Sequence, residues 1–230
     1  MIQQPLSALI KRLRVAAVDL DGTLIDSQPD LAVAANVVLE SLDLPALPAG
    51  RVGELIGGGI ETLVRRVLED RGQQATARQV RSALGQFRQH YRDNLFVHSR
   101  VFPGVIEGLD ALRASGLCVC CSTNKAAEFA QPLLAAAQLA GRLDAVFCAA
   151  APEQRKPGPW LLRHACRFFG ITPQQLLMIG DSRNDIAAAR AAGCHVAAVD
   201  YGYNQGRPIA DDQPDWIIAS LLDVTRSPPT

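Results

Sequence analysis

Surplus charge is the first thing missing from this chain. Its 230 residues carry 23 Lys+Arg against 23 Asp+Glu. No cationic excess exists to displace counterions from a phosphate backbone, which argues against a protein whose main work is binding nucleic acid. A long apolar run is missing too. No stretch approaches the ~18 residues that a membrane-spanning helix needs, so no membrane partner is expected. The N-terminal segment places its basic residues after a short apolar run at 6–10, the reverse of a secretory signal. A cytoplasmic protein with reduced cysteines is therefore the expectation. The six cysteines lack the converging Cys/His spacing of a metal cluster. Cys118, Cys120 and Cys121 crowd one apolar run and read as small buried hydrophobes. The tail at 227–230, SPPT, is expected to fray.

What is present is an ordinary globular composition, 48% hydrophobic and 20% charged. A chain of this length buries roughly 70% of its unfolded surface and needs no disulfide or structural metal for a core. Short apolar, β-branched runs at 14–19, 117–122, 145–148, 176–179, 195–199 and 216–218 read as strands. Amphipathic stretches at 105–114, 126–138, 159–169 and 185–192 read as helices between them. That alternation predicts an α/β fold, a doubly wound, Rossmann-like parallel sheet covered on both faces. Between 26 and 98 no strand signal occurs. Helical patterns at 31–42, 51–56, 60–69 and 77–94 make this block an inserted all-helical cap. The expected division is a core of residues 1–25 and 99–230 and a cap of residues 26–98.

In such a sheet, ligands bind beyond the carboxyl ends of the strands. The first strand ends in Asp19-Leu20-Asp21-Gly22-Thr23, the second in Ser122-Thr123-Asn124-Lys125, the fourth in Gly180-Asp181-Ser182-Arg183-Asn184-Asp185. Lys156 stands in a loop before a helix. Any one of these residues alone is most simply a helix cap, a turn residue or a surface lysine. The ordered set is hard to explain structurally. Crowded carboxylates repel, and a hard dication bound by oxygens relieves them; Mg²⁺ fits, because it is usually held by one or two carboxylates plus substrate phosphate. An aspartate can attack phosphorus and form an aspartyl-phosphate. Gly57-Gly58-Gly59 follows a helix and lacks G-x-G-x-x-G spacing, so a dinucleotide loop is not expected. Arg65 and Arg66, on the next helix, are candidates to meet a second anionic group.

DLDGT at 19–23, STNK at 122–125, KPGP at 156–159 and GDSRND at 180–185 resemble the four signature motifs of the haloacid dehalogenase superfamily, in order and across most of the chain. The small helical insert, the TNK tripeptide, GDSRNDIAAARAAGC followed by YGYNQG, and IGGGIETLVRRVL at 56–68 resemble the branch that hydrolyses 2-phosphoglycolate. The resemblance implies Asp19 as nucleophile, Asp21 as general acid/base, and Thr123 and Asn124 as phosphate ligands beside a charge-neutralising Lys156. It also implies an Mg²⁺ ion at Asp19, Asp181 and Asp21, with Asp185 supporting the metal. Gly57, Gly58 and Arg65 are the expected substrate contacts from the cap. The implied protein is a monomeric or homodimeric phosphatase acting on a small phosphorylated substrate. Alternatives are a phosphatase of N-acetylmuramate 6-phosphate, another sugar phosphate or pyrophosphate, a phosphomutase, and a phospho-accepting signalling receiver. A receiver has no helical insert after its first strand.

Overall fold

The computed structural model describes residues 6–74 and 76–226; the tail expected to fray lies outside them. In chain order the elements are α1 (Leu6–Leu9), β1 (Val15–Val18), β2 (Ile25–Asp26), α2 (Gln28–Glu40), α3 (Ala49–Leu55), α4 (Ile60–Asp70), α5 (Ala77–Asp93), β3 (Arg100–Val101), α6 (Val105–Ala114), β4 (Cys118–Thr123), α7 (Ala127–Ala136), β5 (Ala145–Cys148), α8 (Trp160–Phe169), β6 (Leu176–Gly180), α9 (Arg183–Ala192), β7 (His195–Val199) and β8 (Trp216–Ile218). Six strands form one parallel sheet in the order β5-β4-β1-β6-β7-β8. The fold is the doubly wound α/β architecture that the alternation predicts.

Strand alternation divides the core in two. Ala16, Val18, Val119, Cys121, Leu177 and Ile179 join Val105, Leu109 and Leu112 of α6 and Leu133 and Leu134 of α7 on one face. Val15, Ala17, Cys120, Leu176 and Met178 join Leu161, Leu162 and Ala165 of α8 and Ile186 and Ala189 of α9 on the other. A strand covered on both faces must be apolar at every position, and β1 and β6 are buried throughout. One cysteine departs from the expectation of burial: Cys118 opens β4 and is exposed, while Cys120 and Cys121 are buried. Cys148, which closes the edge strand β5, is half-buried.

The chain lays down β4 and β5 on one side of β1, then crosses to lay down β6, β7 and β8 on the other. The strand order therefore reverses between β1 and β6, where a crevice opens at their carboxyl ends. Above it, α2–α5 enclose a third apolar cluster that includes Leu31, Val38, Leu63, Val67, Phe87 and Tyr91, with Phe129 contributed from α7.

Two chain crossings join this helical block to the sheet. They pair as β2 and β3, with Ile25 opposite Val101 and Asp26 opposite Arg100. Two-residue strands carry no readable period, so the sequence gives no sign of this ribbon. Helix α2 starts at Gln28, three residues before the apolar pattern suggests, because Pro29 suits a first turn. Ser27 does not cap it. Its Oγ donates to Asp21 Oδ1 at 2.5 Å instead. Asp30 accepts from His98 N (2.8 Å), Ser99 N (2.9 Å) and Ser99 Oγ (2.5 Å), tying the returning crossing to α2. Among the described residues, no helix is long and apolar enough to cross a membrane.

Candidate active site

The crevice is lined from below by Asp19, Asp21, Thr123, Asn124, Lys125, Lys156, Asp181, Ser182 and Asn184, and from above by Leu31, Ile56, Gly57, Gly59, Ile60 and Leu63. Parallel pairing sets its floor: Val18 stands opposite both Cys121 and Ile179, so the next residues of three strands emerge at one level.

Lys156 holds the centre. Its buried ammonium lies 2.9 Å from Asp19 Oδ1, 2.6 Å from Asp185 Oδ1 and 2.8 Å from the Ser122 carbonyl. Burial alone would lower its proton affinity, but Asp185 and Asp19 beside it hold it above the ordinary lysine range. Asp185 is fully buried at the third position of α9, where its Oδ2 also accepts from Ser182 N and Oγ. This carboxylate thus serves the lysine and the helix start together.

Asp19, Asp181 and Asp185 each offer a carboxylate oxygen within 4.8 Å of the others. Burial, and then the neighbouring acids, push Asp181 up to about 8; burial pushes Asp19 up to about 7 despite Lys156. Such a donor set is short of positive charge. All its donors are hard oxygens, as Mg²⁺ requires. The space around Asp181 is kept by glycine. A Cβ on Gly202 would lie 2.0 Å from Asp181 Cβ, and one on Gly22, at φ +86°, 2.3 Å from Asp181 Oδ2. Thr23 Oγ1 and Tyr203 N donate to the same carboxylate at 3.1 and 2.8 Å. The residues present therefore fit a dication. The Asp21 carboxylate is not part of this triad.

Asp21 turns to Lys125 instead, whose Nζ lies 2.9 and 3.2 Å from its two oxygens. Lys125 is buried, and its ammonium sits 4.8 Å from the centre of the Tyr91 ring of α5. Thr123 Oγ1 accepts from Lys125 N. Asn124 clamps the Lys156 backbone, donating to its carbonyl at 2.9 Å and accepting from its N–H at 2.8 Å.

The upper wall differs from the sequence expectation. Gly57 does reach the crevice, but its carbonyl faces the core and accepts from Asn184 Nδ2 (2.8 Å) and Asn124 Nδ2 (3.2 Å). The Gly58 carbonyl accepts from Thr62 and Arg155, and Gly58 is not in the crevice wall. Arg65 is not brought to the site. It is half-exposed, pairs with Glu61 one turn back at 3.0 Å, and borders Glu69, Gln73 and Gln74 on another surface. The reason is helical phase: α4 turns Ile60 and Leu63 to the crevice, which leaves position 65 on another face. Arg66 donates to the Leu55 carbonyl at 3.0 Å.

Lys125, Asn184 and Tyr203 are among the wall residues that had no assigned role in the sequence. Lys125 stands inside a recognised motif, which was its only signal. Tyr203 Oη donates to Asp26 at 2.7 Å and accepts from Gln28 N at 3.0 Å, so it borders both the site and the chain crossing. Tyr201 lies just behind, its hydroxyl donating to the Thr23 carbonyl at 2.9 Å.

Two lysines and four carboxylates at the switch point of a doubly wound sheet, under a helical roof, define a hydrolase of the phosphoryl-transfer kind. The family model described as haloacid dehalogenase-like hydrolase matches residues 17–199, and the chain belongs to that family. It is 44% identical over 215 residues to the phosphoglycolate phosphatase of Nitrosospira multiformis, covering 93% of this chain and 95% of that one. It is 41% identical over 212 residues to that of Thiobacillus denitrificans, covering 92% and 93%. The crystal structure of a predicted phosphoglycolate phosphatase from Haemophilus somnus superposes with a TM-score of 0.88 at 35% identity, covering 93% of this chain and 96% of that one.

Proposed function

We propose that this hydrolase is an Mg²⁺-dependent phosphatase that converts 2-phosphoglycolate to glycolate and phosphate through an aspartyl-phosphate on Asp19. The observation that carries the reading is the convergence of Asp19, Asp21, Lys156 and Asp181 on one crevice roofed by apolar side chains. The names of its relatives support the substrate.

The Lys156 ammonium, 2.9 Å from Asp19, favours the ionised form of that carboxylate. Asp19 Oδ attacks phosphorus as the ester P–O bond breaks. Asp21 gives its proton to the departing glycolate oxygen. It then takes a proton from water as that water attacks the phosphorus, the bond to Asp19 breaks, and phosphate leaves. Lys156 neutralises charge on the phosphoryl oxygens throughout, and Thr123 with the local backbone amides binds them. Asp19 and Asp181 would hold Mg²⁺ with the Asp21 carbonyl, supported by Asp185; the ion would supply charge neutralisation to the phosphoryl group.

Residues 26–98 act as a cap in this reading. Leu31, Ile56, Ile60 and Leu63 exclude water from the reacting atoms. The Gly57 carbonyl of this roof hydrogen-bonds Asn124 and Asn184 of the floor, a close approach that favours a small ester over a sugar phosphate. The six free cysteines support work in a reducing compartment, the cytoplasm.

The test is phosphate release with Mg²⁺ from 2-phosphoglycolate, N-acetylmuramate 6-phosphate, sugar phosphates and pyrophosphate. The highest kcat/KM is expected for 2-phosphoglycolate. Preference for a larger ester would keep the chemistry and overturn the substrate.

A further inference from the structure

We propose that Lys125 is the specificity-determining cation of this site, the group that binds the carboxylate of a short phosphorylated carboxylic acid. The inference rests on the substrate reading above and assigns the half of the substrate that the phosphoryl machinery does not touch.

The substrate imposes the first constraint. In 2-phosphoglycolate a single methylene and the ester oxygen separate phosphorus from the carboxylate carbon. With the phosphoryl group at Asp19, the carboxylate must lie in the same crevice, among side chains that shield it from water. An anion there needs a charged or multiply hydrogen-bonded partner.

The inventory of the wall supplies the second. Among the described residues lining the crevice, the cations are Lys125 and Lys156. The Lys156 ammonium has three acceptors within 2.9 Å, one for each of its N–H groups. Lys125 contacts one carboxylate, at 2.9 and 3.2 Å, and otherwise faces Tyr91, by its ring and its neutral hydroxyl. A substrate carboxylate is a stronger acceptor than a phenol hydroxyl and can take over the N–H that faces Tyr91. The Lys125 Nζ is held by Asp21 from the core and by Tyr91 from the helical block, and its backbone N–H is tied to Thr123 Oγ1. The arginines of α4 are engaged elsewhere, Arg65 with Glu61 and Arg66 with the Leu55 carbonyl. Arg155 is turned to the Gly58 carbonyl and lies outside the wall.

Surroundings strengthen the pairing. Leu31, Ile60 and Leu63 share the crevice with Lys125, and the low dielectric they create raises the value of a charge pair over that in water. The same residue contacts the proposed acid/base, so loss of Lys125 slows every substrate to some degree. Selectivity isolates carboxylate binding from that shared loss.

The experiment measures kcat and KM for 2-phosphoglycolate and for ethyl phosphate, the same skeleton without the carboxylate, in wild type, Lys125→Met and Lys125→Arg. Wild type should strongly prefer 2-phosphoglycolate. Lys125→Met should lower the ratio of the two kcat/KM values by about 30-fold or more, chiefly through KM for 2-phosphoglycolate, and Lys125→Arg should recover most of it. If both esters slow equally and the ratio is kept, Lys125 only positions Asp21 and the proposal is overturned. If Lys125→Met does not fold, Lys125→Gln carries the same ratio test. A wild type with no preference for 2-phosphoglycolate would overturn the substrate reading itself. A preference that survives removal of the ammonium overturns only the role of Lys125.

Discussion

Each charged residue of the floor is defined by what it faces. Asp19 and Asp21 stand two apart in sequence, yet one turns to Lys156 and the other to Lys125. That divergence suits their proposed roles, a nucleophile among phosphate ligands and a proton carrier to one side. Asp19→Asn should lower turnover by about 10³-fold or more while the circular dichroism spectrum is kept, because the shape is conserved and only the nucleophilic oxygen is lost. Ordinary turnover in that variant would refute the assignment. Arg65→Ala is the contrasting case. An exposed i,i+4 pair with Glu61 contributes little, so kcat/KM should stay within about twofold of wild type and stability within about 0.5 kcal/mol. A large loss would mean that the α4 surface reaches substrate after all.

At the scale of elements, the helical block and the sheet are joined by two crossings, by the packing of Phe129 of α7 into the helical cluster, and by polar ties. The buried Asp30 carboxylate at the start of α2 receives three hydrogen bonds from the returning chain. Asn124 and Asn184 hold the Gly57 carbonyl from below. Tyr203 connects the Asp181 side of the floor to Asp26 and Gln28 at the crossing. Asp30→Ala leaves two backbone amides and a hydroxyl without their acceptor and should cost about 2–4 kcal/mol in urea unfolding. Asp30→Asn keeps one acceptor oxygen and should cost less. Equal stability of the alanine variant and wild type would show that the tie contributes nothing.

For the whole molecule, the clustered acids set the pH response of the metal-free protein. Burial and mutual repulsion raise Asp19 to about 7 and Asp181 to about 8 from an unfolded value of 3.8. Between those limits the folded state keeps protons that the unfolded chain has released. Stability therefore falls as pH rises through this window, and is greatest below it. With chelator present, Tm should drop by about 5 °C or more between about pH 5.5 and about pH 8.5. Mg²⁺ should restore it most at the upper end, where both carboxylates are ionised and repel. Asp181→Asn should flatten the slope in chelator, and a slope unchanged in that variant would remove Asp181 as its source.

The sequence by itself determined the layers and the floor of the site. Apolar runs separated by helical periods can bury their faces only as a covered parallel sheet, and strands so arranged deliver their last residues to one edge. Asp19, Thr123 and Asp181 were legible because each stands at the end of such a run, where strand geometry leaves little freedom. The roof was not legible in the same way. Which face of α4 meets the crevice depends on how α2–α5 pack on each other and on Phe129, and that phase withdrew Arg65 and brought in Ile60 and Leu63. The same packing placed the Tyr91 ring against Lys125 and so decided the surroundings of the second lysine. Contacts between residues 21, 91 and 125 join segments far apart in the chain, and only the folded arrangement of all three could set them.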